Sequence, residues 1–504
     1  MATKALPLVS LLFVFIRSDM LHAQTTNRDS IEVKAEHGGI NLENKSGKFQ
    51  HTLNPEAQWF PDAGLGLFLH WGISSVKAIN ISWSMIPGGK LASMKFDEKE
   101  KARIFRERDY NLEGKVPWPT PNQYFEFAKD FNPDSYDPDK WIKASKDAGF
   151  TYAVLTTRHH EGFALWPSDY GNFNTKNFMG GRDLVAPFVT ACRKYGLKVG
   201  LYYSPPDWHF EKDYKNFMQF NTVAAHPDFP SIDADLNPRA PGRPDPEKLK
   251  AFQKEYAAMV RGQVQELLTR YGKIDLLWFD GKPPIPDGDK CITAAEILKI
   301  QPGIVINPRL HGTGDFKTFE RVIPEKRSAD DTDWAEFCNT WTYSWAYYQD
   351  GEFRDNGFIL GQLAKCRAMG INYLLGIGPM ANGKLEENAY KNMRELQSWM
   401  EKNKSAIEGV QRLPAGEESS VPATASGNKR YLYLIPEFKG EPYAKNKLPP
   451  NDVSISYQTS AECKSAKLLA SGEALAHDDA HGKLTVRVPA AQRSSLVDVI
   501  ELTF

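Results

Sequence analysis

The chain has 504 residues, of which 41% are hydrophobic and 25% are charged, a composition typical of globular proteins. Its formal net charge is −1, so no strong electrostatic field favours nucleic acid or an anionic membrane as a partner. Aromatic residues make up 12% of the chain and include 12 tryptophans. Because aromatic rings pack against the C–H faces of sugars, this composition favours a neutral carbohydrate ligand, although tryptophan also fills protein cores.

The N-terminus has the pattern of an export signal. Lys4 precedes an apolar run at residues 5–16, and the small residue Ala23 follows shortly after it. A charged start, a hydrophobic segment and a small residue at the cleavage point are the parts of a secretory signal peptide. The run is too short to span a bilayer. We therefore predict a signal peptide over residues 1–23, export to the periplasm or the medium, and no membrane span. The polar, aperiodic residues 24–50 are predicted to form an extended leader.

From residue 51 onward, short apolar runs alternate with amphipathic segments, as in βα units around a parallel sheet. The predicted strands are residues 64–69, 152–157, 198–203, 274–279, 303–306 and 371–377. The predicted helices are residues 139–148, 184–195, 247–271, 294–300, 359–369 and 386–403. A closed barrel needs eight strands, so one or two must be irregular or hidden, and residues 339–345 are the best place for one. Polar residues end several strands and no GxGxxG follows the first, which favours an α/β fold of the (β/α)₈-like barrel type over an open doubly wound sheet.

Two segments differ from the βα pattern. Residues 205–246 are rich in proline and aspartate and are predicted to be an insertion over the barrel mouth. After Leu413 the chain changes to short alternating runs, which are typical of an antiparallel β-sandwich. The predicted organisation is a catalytic barrel over residues 51–412 and a C-terminal β-sandwich over residues 413–504. The five cysteines are odd in number and widely spaced, so they are predicted to be small buried hydrophobic residues.

Asp280 is the first candidate for a catalytic group. It ends the apolar run 274–279 and precedes Gly281. Residues at the carboxyl ends of barrel strands face the active site, so a nucleophilic carboxylate is expected here. An isolated Asp-Gly after a strand is more often a helix N-cap or a structural partner, and only the neighbours favour catalysis. Trp278 points to the same face, and Arg309, after the next strand, could bind the carboxylate or form a purely structural salt bridge.

Three histidines end the first two predicted strands. His70 and Trp71 follow the first strand, and His159 and His160 follow the second. These imidazoles could hydrogen-bond sugar hydroxyls, or they could ligate zinc with one position open. Neighbours on a strand point to opposite faces, so His159 and His160 cannot both ligate a metal unless the strand has already ended. Hydrogen bonding to a sugar is therefore favoured, with a structural role as the other alternative, and no metal or cofactor is expected. The isolated His311 is predicted to be a loop residue.

Taken together, these residues resemble the family 29 glycoside hydrolases, the α-L-fucosidases. The resemblance covers roughly residues 56–409 and rests on five matches, of which the first two are highly specific: WFPDAGLGLFLHWG at 59–72, DAGFTYAVLTTRHHEGF at 147–163, LYYSPPDW at 201–208, WFDG at 278–281 and NYLLGIGP at 372–379. It implies an exo-glycosidase that removes terminal α-L-fucosyl residues from oligosaccharides or glycoconjugates. It also implies retention of configuration through a covalent glycosyl-enzyme intermediate.

The resemblance also implies roles for individual residues. Asp280 matches the nucleophile of the family. The positions that match those around the sugar ring are His70, Trp71, His159, His160, Tyr202 or Tyr203, Trp278 and Arg309. Retention needs a second carboxyl group about 5–5.5 Å from the nucleophile, kept protonated beside the leaving oxygen.

The acid/base residue is predicted on a loop that differs among family members. Residues 314–320 resemble the loop that supplies it in some relatives, so Glu320 is the first candidate. Glu336 and Glu325 are the alternatives. Because Glu320 precedes Arg321, it could also be an ordinary solvated loop charge.

Two positions depart from the family pattern. Ser82 precedes Trp83 where an acidic residue is usual, and Glu161 follows the two histidines where aspartate is usual. A changed hydroxyl contact at Ser82 leaves open an α-L-galactosidase, since a pocket built around a methyl group rejects an added hydroxyl only modestly. A catalytically inactive fucose-binding protein is a further alternative, but its expected sign, the loss of Asp280 or of every loop carboxylate, is absent.

Overall fold

The computed structural model describes residues 49–112, 119–240, 242, 244–328, 330–349, 351–440, 446–480 and 482–504. The predicted signal peptide over residues 1–23 lies outside the described residues. So does the predicted leader, apart from residues 49 and 50. None of the helices in the described ranges is long and apolar enough to cross a membrane.

Eight parallel strands form the sheet that carries the chemistry. They are β1 Leu65–Leu69, β2 Tyr152–Arg158, β3 Lys198–Tyr203, β4 Leu276–Phe279, β5 Val305–Ile306, β6 Phe316–Glu320, β7 Trp334–Thr340 and β8 Asn372–Ile377. Their order is β5-β4-β3-β2-β1-β8-β7-β6, so the first and last strands of the chain's barrel are hydrogen-bonded neighbours. The sheet is nearly closed, and the predicted (β/α)₈-like barrel is confirmed. All six predicted strands are present.

The seam of the barrel lies between β5 and β6, and Asp315 bridges it. The Ile306 amide donates to Asp315 Oδ2 at 2.8 Å, and the Asp315 amide donates to the Ile306 carbonyl at 2.8 Å. Asp315 Oδ1 accepts a further bond from the Thr52 amide at 2.7 Å. A carboxyl group thus satisfies backbone donors that strand pairing would otherwise satisfy, which explains how a two-residue β5 is tolerated.

The two strands that the apolar pattern missed are β6 and β7. Of the predicted position 339–345, only Asn339 and Thr340 belong to a strand, and the remaining residues follow it. β6 was predicted to be part of a loop, yet Glu320 is its last residue. Its sequence FKTFE is only partly buried, so it lacks the continuous apolar run that marks the other barrel strands.

The helices of the described residues are α1 Glu98–Glu107, α2 Pro121–Phe125, α3 Pro138–Asp147, α4 Thr175–Phe178, α5 Val185–Tyr195, α6 Phe220–Ala225, α7 Pro246–Arg270, α8 Ala294–Ile300, α9 Asn356–Ala368 and α10 Glu387–Asn403. The six predicted helices are present among them, and α1, α2, α4 and α6 were not predicted. Local sequence sets several ends: Thr293 and Glu296 form a capping box at the start of α8, and Gly196 ends α5 at φ 70°.

Two antiparallel sheets follow α10. Their strands are β9 Gln411–Arg412, β10 Glu418–Ser419, β11 Ala423–Ser426, β12 Lys429–Leu434, β13 Val453–Gln458, β14 Ser465–Leu468, β15 His477–Ala480, β16 Lys483–Val488 and β17 Asp498–Thr503. One sheet has the order β10-β13-β16-β15 and the other β14-β17-β12-β11-β9. Side chains from both sheets share one apolar core that includes Leu432, Ile455, Val486 and Ile500, as the predicted β-sandwich requires.

The segment 205–246 packs at the carboxyl ends of the barrel strands. Arg158, the last residue of β2, is fully buried and its Nη1 lies 3.0 Å from Asp207 Oδ2. Gly162 permits this contact, because at φ 93° a Cβ there would lie 2.0 Å from Asp207 Oδ1. The neighbouring Trp208 ring then stacks on His160 with ring centres 5.2 Å apart. The segment therefore covers the mouth close to the histidine pair.

Candidate active site

A narrow cavity opens at the carboxyl ends of the barrel strands. The structure brings together in its wall seven of the residues singled out from the sequence: His70, His159, Tyr202, Trp278, Asp280, Arg309 and Glu320.

Asp280 directly follows β4, and its side chain is almost fully buried. Its Oδ1 accepts a hydrogen bond from Arg309 Nη1 at 2.8 Å, and its Oδ2 accepts one from the Tyr202 hydroxyl at 2.7 Å. Burial, followed by the charge of Asp280, raises the pKa of Tyr202 well above its ordinary value, so the phenol stays protonated and remains a donor. A positive charge and a hydrogen-bond donor both favour the ionised form of the Asp280 carboxyl.

Arg309 connects Asp280 to a second carboxyl group. Its Nη2 donates to Glu320 Oε2 at 2.5 Å, and its guanidinium lies over the Trp278 ring at 4.5 Å. Burial opposes the charge of Arg309, but Glu320 and Asp280 together raise its pKa above the ordinary value. The side chain of Glu320 is itself only 5% exposed. One planar cation therefore holds two buried carboxyl groups at the cavity wall.

His159 and His160 follow the end of β2, where the register with β3 is irregular. His160 Nδ1 lies 2.6 Å from Ser204 Oγ, and its Nε2 lies 3.4 Å from Asp280 Oδ2. His159 Nδ1 lies 2.7 Å from Ser82 Oγ, and its ring is parallel to Tyr202. Because the strand has ended at Arg158, the alternation of a strand no longer applies, and both rings reach the same side of the site.

His70 is a third buried imidazole in the wall. Its ring lies against Phe68 and Trp345, at 4.2 and 4.8 Å between ring centres. Burial, followed by the nearby His159, lowers the pKa of His70 well below its ordinary value, so the ring is neutral near pH 7. Its Nδ1 has no hydrogen-bond partner among the described residues. A neutral ring with an available nitrogen can bind a sugar hydroxyl.

Comparison with known proteins identifies the family of this chain. The family model described as alpha-L-fucosidase matches residues 40–405, most of the chain. The chain belongs to the α-L-fucosidase family. The tissue alpha-L-fucosidase of Bos taurus is 28% identical over 406 residues, covering 76% of each chain, and that of Homo sapiens is 26% identical over 372 residues, covering 70% of this chain and 69% of the human one.

Solved structures of fucosidases share the fold. The alpha-L-fucosidase isoenzyme 1 from Paenibacillus thiaminolyticus is 27% identical, with a TM-score of 0.65 over 89% of this chain and 98% of its own. A fucosidase from Bacteroides thetaiotaomicron, solved as a trapped covalent intermediate, is 22% identical, with a TM-score of 0.65 over 92% of this chain and 99% of its own. Members of this family are glycoside hydrolases, and this chain is an enzyme of that class.

Several residues predicted for the fucosidase site lie elsewhere. Trp71 points away from the cavity, where its Nε1 donates to the Met380 carbonyl at 3.0 Å. The Tyr203 hydroxyl donates to Gln263 on α7, so Tyr202 is the tyrosine in the wall. Glu325 is exposed beyond the end of β6. His311, as expected, follows a strand rather than lying in the wall, and it contacts the Ile292 carbonyl.

Glu336, the second acid/base candidate, lies inside the barrel beneath the cavity wall. It accepts hydrogen bonds from Trp278 Nε1 at 2.8 Å and from the Tyr152 hydroxyl at 2.7 Å. Burial, which outweighs these two bonds, raises the pKa of Glu336 to about 7. Since it supports Trp278 from below, Glu336 acts on the wall and does not line it.

Four residues of the wall were not predicted as site residues: Phe68, Trp83, Cys338 and Trp345. Phe68 lies on β1 two residues before His70, which directly follows the strand, so strand alternation could have placed both on one face. Cys338 lies on β7, a strand that the apolar pattern had not located. Trp345 follows β7 in a segment without periodicity, and nothing local marks it.

Ser82 and Glu161, the two departures from the family pattern, are in contact with each other. The Ser82 hydroxyl donates to Glu161 Oε2, and the Glu161 amide donates to Ser82 Oγ at 3.0 Å. Both residues are buried, and neither lines the cavity. They lie behind His159, so a change at Ser82 reaches the sugar through that ring.

A metal could be held by one group of side chains here. Ligand atoms of His159, His160 and Asp280 lie within 4.8 Å of one another. However, Asp280 Oδ2 already accepts the Tyr202 hydroxyl, and Asp280 Oδ1 is paired with the Arg309 cation. A cationic neighbour disfavours a divalent metal, so the donor set fits a sugar hydroxyl better.

A larger groove lies beside the cavity, and Trp83 belongs to both. It has a volume of about 410 Å³, and its lining includes residues 83–90, Leu236 and Tyr348. Leu236 comes from the segment 205–246. The shared tryptophan makes the two spaces neighbours across a single ring.

Proposed function

We propose that this enzyme hydrolyses terminal α-L-fucosyl residues from glycans with retention of configuration, with Asp280 as nucleophile and Glu320 as acid/base. The observation that carries the proposal is the binding of both carboxyl groups by Arg309 at the wall of the cavity. Two carboxyl groups that bind two nitrogens of one guanidinium lie close together. A retaining glycosidase needs such a close pair, at about 5–5.5 Å, whereas an inverting one needs room for a water between them.

In the first step, an Asp280 oxygen forms a bond to C1 of the sugar while the bond from C1 to the leaving oxygen breaks. Glu320 gives its proton to that oxygen. In the second step, water attacks C1, the bond to Asp280 breaks, and Glu320 takes the proton from the water. Arg309 and Tyr202 stabilise the Asp280 carboxylate, which is formed again when the intermediate is hydrolysed.

Glu320 must carry a proton in the first step, yet its contact with Arg309 favours the ionised form. Formation of the ester at Asp280 removes one negative charge next to Arg309, so the cation then interacts more strongly with Glu320. This change fits the sequence of events, because Glu320 acts as a base in the second step. Because Glu320 must be protonated in the first step, we expect binding of the sugar to lengthen the contact between Arg309 and Glu320 beforehand.

The aromatic and histidine residues of the wall are proposed to bind the sugar ring. Trp278 and Trp83 offer apolar surfaces, and His70 and His159 offer nitrogens for hydroxyl groups. His160 does not line the cavity, and its Nε2 lies 3.4 Å from Asp280 Oδ2. The rest of the glycan is proposed to leave the cavity past Trp83 into the larger groove. The Ser82 position does not line the cavity, so Ser82 makes no direct contact that would favour L-galactose over fucose.

We also propose that the enzyme is exported, with the signal peptide removed after Ala23. The support is the charged, apolar and small-residue pattern of residues 1–23. N-terminal sequencing of the mature protein from the periplasm or the medium should begin at Gln24. An intact Met1 on protein recovered from the cytoplasm would contradict export.

The activity is best tested by proton NMR on an aryl α-L-fucoside. The anomeric signal that appears first identifies the stereochemical course before mutarotation mixes the anomers. We expect α-fucose first, as retention requires. β-Fucose first would show an inverting mechanism, and the absence of hydrolysis of aryl and oligosaccharide fucosides alike would refute the activity.

A further inference from the structure

A chain of three hydrogen-bonding groups lies behind the wall of the sugar cavity. His159 Nδ1 is 2.7 Å from Ser82 Oγ, and the Ser82 hydroxyl reaches Glu161 Oε2. The Glu161 amide returns to Ser82 Oγ at 3.0 Å. His159, Ser82 and Glu161 are all buried, so water does not compete for these bonds.

The available hydrogen atoms determine which group donates and which accepts in each of these hydrogen bonds. The Glu161 amide can only donate, so Ser82 Oγ accepts that bond. The Glu161 carboxylate can only accept, so the single hydroxyl hydrogen of Ser82 points to it. Ser82 Oγ therefore has no hydrogen to give to His159 and can only accept from it. In the neutral ring, the hydrogen must then be on Nδ1, and Nε2 must carry a lone pair.

We infer that Ser82 and Glu161 are positioning residues, which hold His159 as a hydrogen-bond acceptor for one hydroxyl group of the bound sugar. This inference rests on the proposed fucosidase function. His159 lines the cavity, and its Nδ1 is occupied by Ser82, so Nε2 is the atom that a hydroxyl can reach. A ring that could rotate or change tautomer would offer a donor as often as an acceptor. The hydrogen bonds of Ser82 and Glu161 fix the orientation and the tautomer of the His159 ring before the sugar binds.

The backbone at Ser82 is held in a conformation that serine rarely adopts. Its φ is 53° and its ψ is −47°, and its amide donates to the Tyr124 hydroxyl at 2.8 Å. Such a conformation persists only where the surroundings impose it, and it is found most often at functional sites. It aims the Ser82 side chain at His159 and Glu161, which lie 77 and 79 residues away along the chain.

A second serine provides a matched control on the other ring of the pair. Ser204 Oγ donates to the Pro206 carbonyl at 2.8 Å and lies 2.6 Å from His160 Nδ1. By the same count, His160 carries its hydrogen on Nδ1. Its Nε2, however, faces Asp280 at 3.4 Å. Loss of the Ser204 hydroxyl should therefore disturb His160 beside the nucleophile Asp280. Loss of the Ser82 hydroxyl should instead disturb the contact between His159 and one hydroxyl group of the sugar.

The test measures kcat/KM for an aryl α-L-fucoside and its 2-, 3- and 4-deoxy analogues. Ser82→Ala and Ser82→Gly both remove the hydroxyl, and glycine accepts the unusual φ without strain. On the parent substrate we expect a loss of about tenfold for each, the size of one hydrogen bond to a buried group. On one deoxy analogue the loss should fall to within about twofold, because the hydroxyl that His159 would accept is absent.

An equal loss on the parent and on all three analogues would overturn the inference, since it would show a general structural effect. The inference would also be overturned if Ser204→Ala and Ser82→Ala both lost activity on the parent substrate and the same deoxy analogue removed both losses in kcat/KM. Melting temperatures and circular dichroism of each variant show that the comparison is made on folded protein. If the unmodified enzyme cleaves none of the fucosides, the proposed function fails and the inference with it.

A double-mutant cycle tests whether Ser82 and Glu161 act through one path. If both serve only to orient His159, the Ser82→Ala, Glu161→Ala double variant should lose no more activity on the parent substrate than the worse single variant. Losses that multiply would show that Glu161 acts independently of Ser82, and the three-group chain would be wrong.

Discussion

The two sides of the sugar cavity are held together by different forces. On the carboxylate side, formed by Asp280, Arg309 and Glu320, opposite charges meet in the barrel wall. On the imidazole side, formed by His70, His159 and His160, serine hydroxyls and burial orient the rings. Charge thus controls the protonation of the carboxyl groups that react. Serine hydroxyls control the orientation of the imidazoles that bind the sugar. The difference indicates that chemistry and recognition can be altered separately.

The largest effect should come from removing the nucleophile on the carboxylate side. Asp280→Ala should lower kcat by roughly 10⁴-fold or more, because no other group can form the glycosyl-enzyme bond. Sodium azide should restore turnover of an activated aryl fucoside by occupying the vacated space and should give β-fucosyl azide, which NMR identifies. Near-normal turnover without azide would remove Asp280 from the mechanism.

The next largest effect should depend on the leaving group. Glu320→Ala should lower kcat/KM on natural oligosaccharides by about 10²–10⁴-fold, the usual contribution of a general acid. Fucosides of acidic phenols need no proton and should lose much less in the first step. Glu325→Ala, at an exposed position, is the matched control and should be close to the unmodified enzyme. Equal losses for Glu320→Ala on both substrate types would transfer the role to another carboxyl group.

Arg309→Lys should separate charge from geometry on the same side. Lysine keeps the positive charge but cannot bind Asp280 and Glu320 at once through a planar fork. Leaving one buried carboxylate without its partner should cost about 3 kcal/mol, or roughly 10²-fold in kcat/KM. The pH profile of kcat/KM should shift as well, because one carboxyl loses its stabilising charge. A variant with unchanged activity and profile would show that the guanidinium geometry is unimportant.

A smaller effect, on stability, is expected beneath the wall. The pKa of Glu336 is about 7 in the folded enzyme and about 4.5 in the unfolded chain. Between these pH values the folded state binds a proton that the unfolded state does not, so stability falls as pH rises, by at most about 3 kcal/mol. Glu336→Gln cannot ionise, so its melting temperature relative to the unmodified enzyme should rise from pH 4.5 to pH 8. A constant difference over this range would contradict the raised pKa.

No effect is expected from removal of metals. Incubation with EDTA followed by desalting should leave kcat and KM unchanged, because Arg309 and Tyr202 already occupy the oxygens of Asp280. Loss of activity that added zinc restores would instead assign His159, His160 and Asp280 to a metal. That result would contradict the division between the two sides of the cavity, because the imidazole side would then take part in the chemistry.

The sequence by itself predicted the barrel and most of its wall. Continuous apolar runs identify buried parallel strands, and the residues that end them must gather at one mouth. This rule predicted that His70, His159, His160, Trp278 and Asp280 would lie near one another, whereas Tyr202 or Tyr203 was added only by the resemblance to the family. The motif matches added the family, which the family model supports over residues 40–405, and the expected roles of individual residues.

Only the tertiary structure decided which of the remaining candidates reach the cavity. β6 is partly exposed and short of apolar residues, so local pattern could not show that Glu320 ends a strand facing Arg309. Glu336 and Trp71 lie on or next to barrel strands, as the wall residues do. Glu336, however, lies inside the barrel beneath Trp278, and Trp71 points away from the cavity. Ser82 and Glu161 are far apart along the chain, and their contact depends on how two loops pack. Periodicity reports which face a residue shares with its near neighbours, whereas contacts between distant segments depend on where each strand ends and how its loop turns.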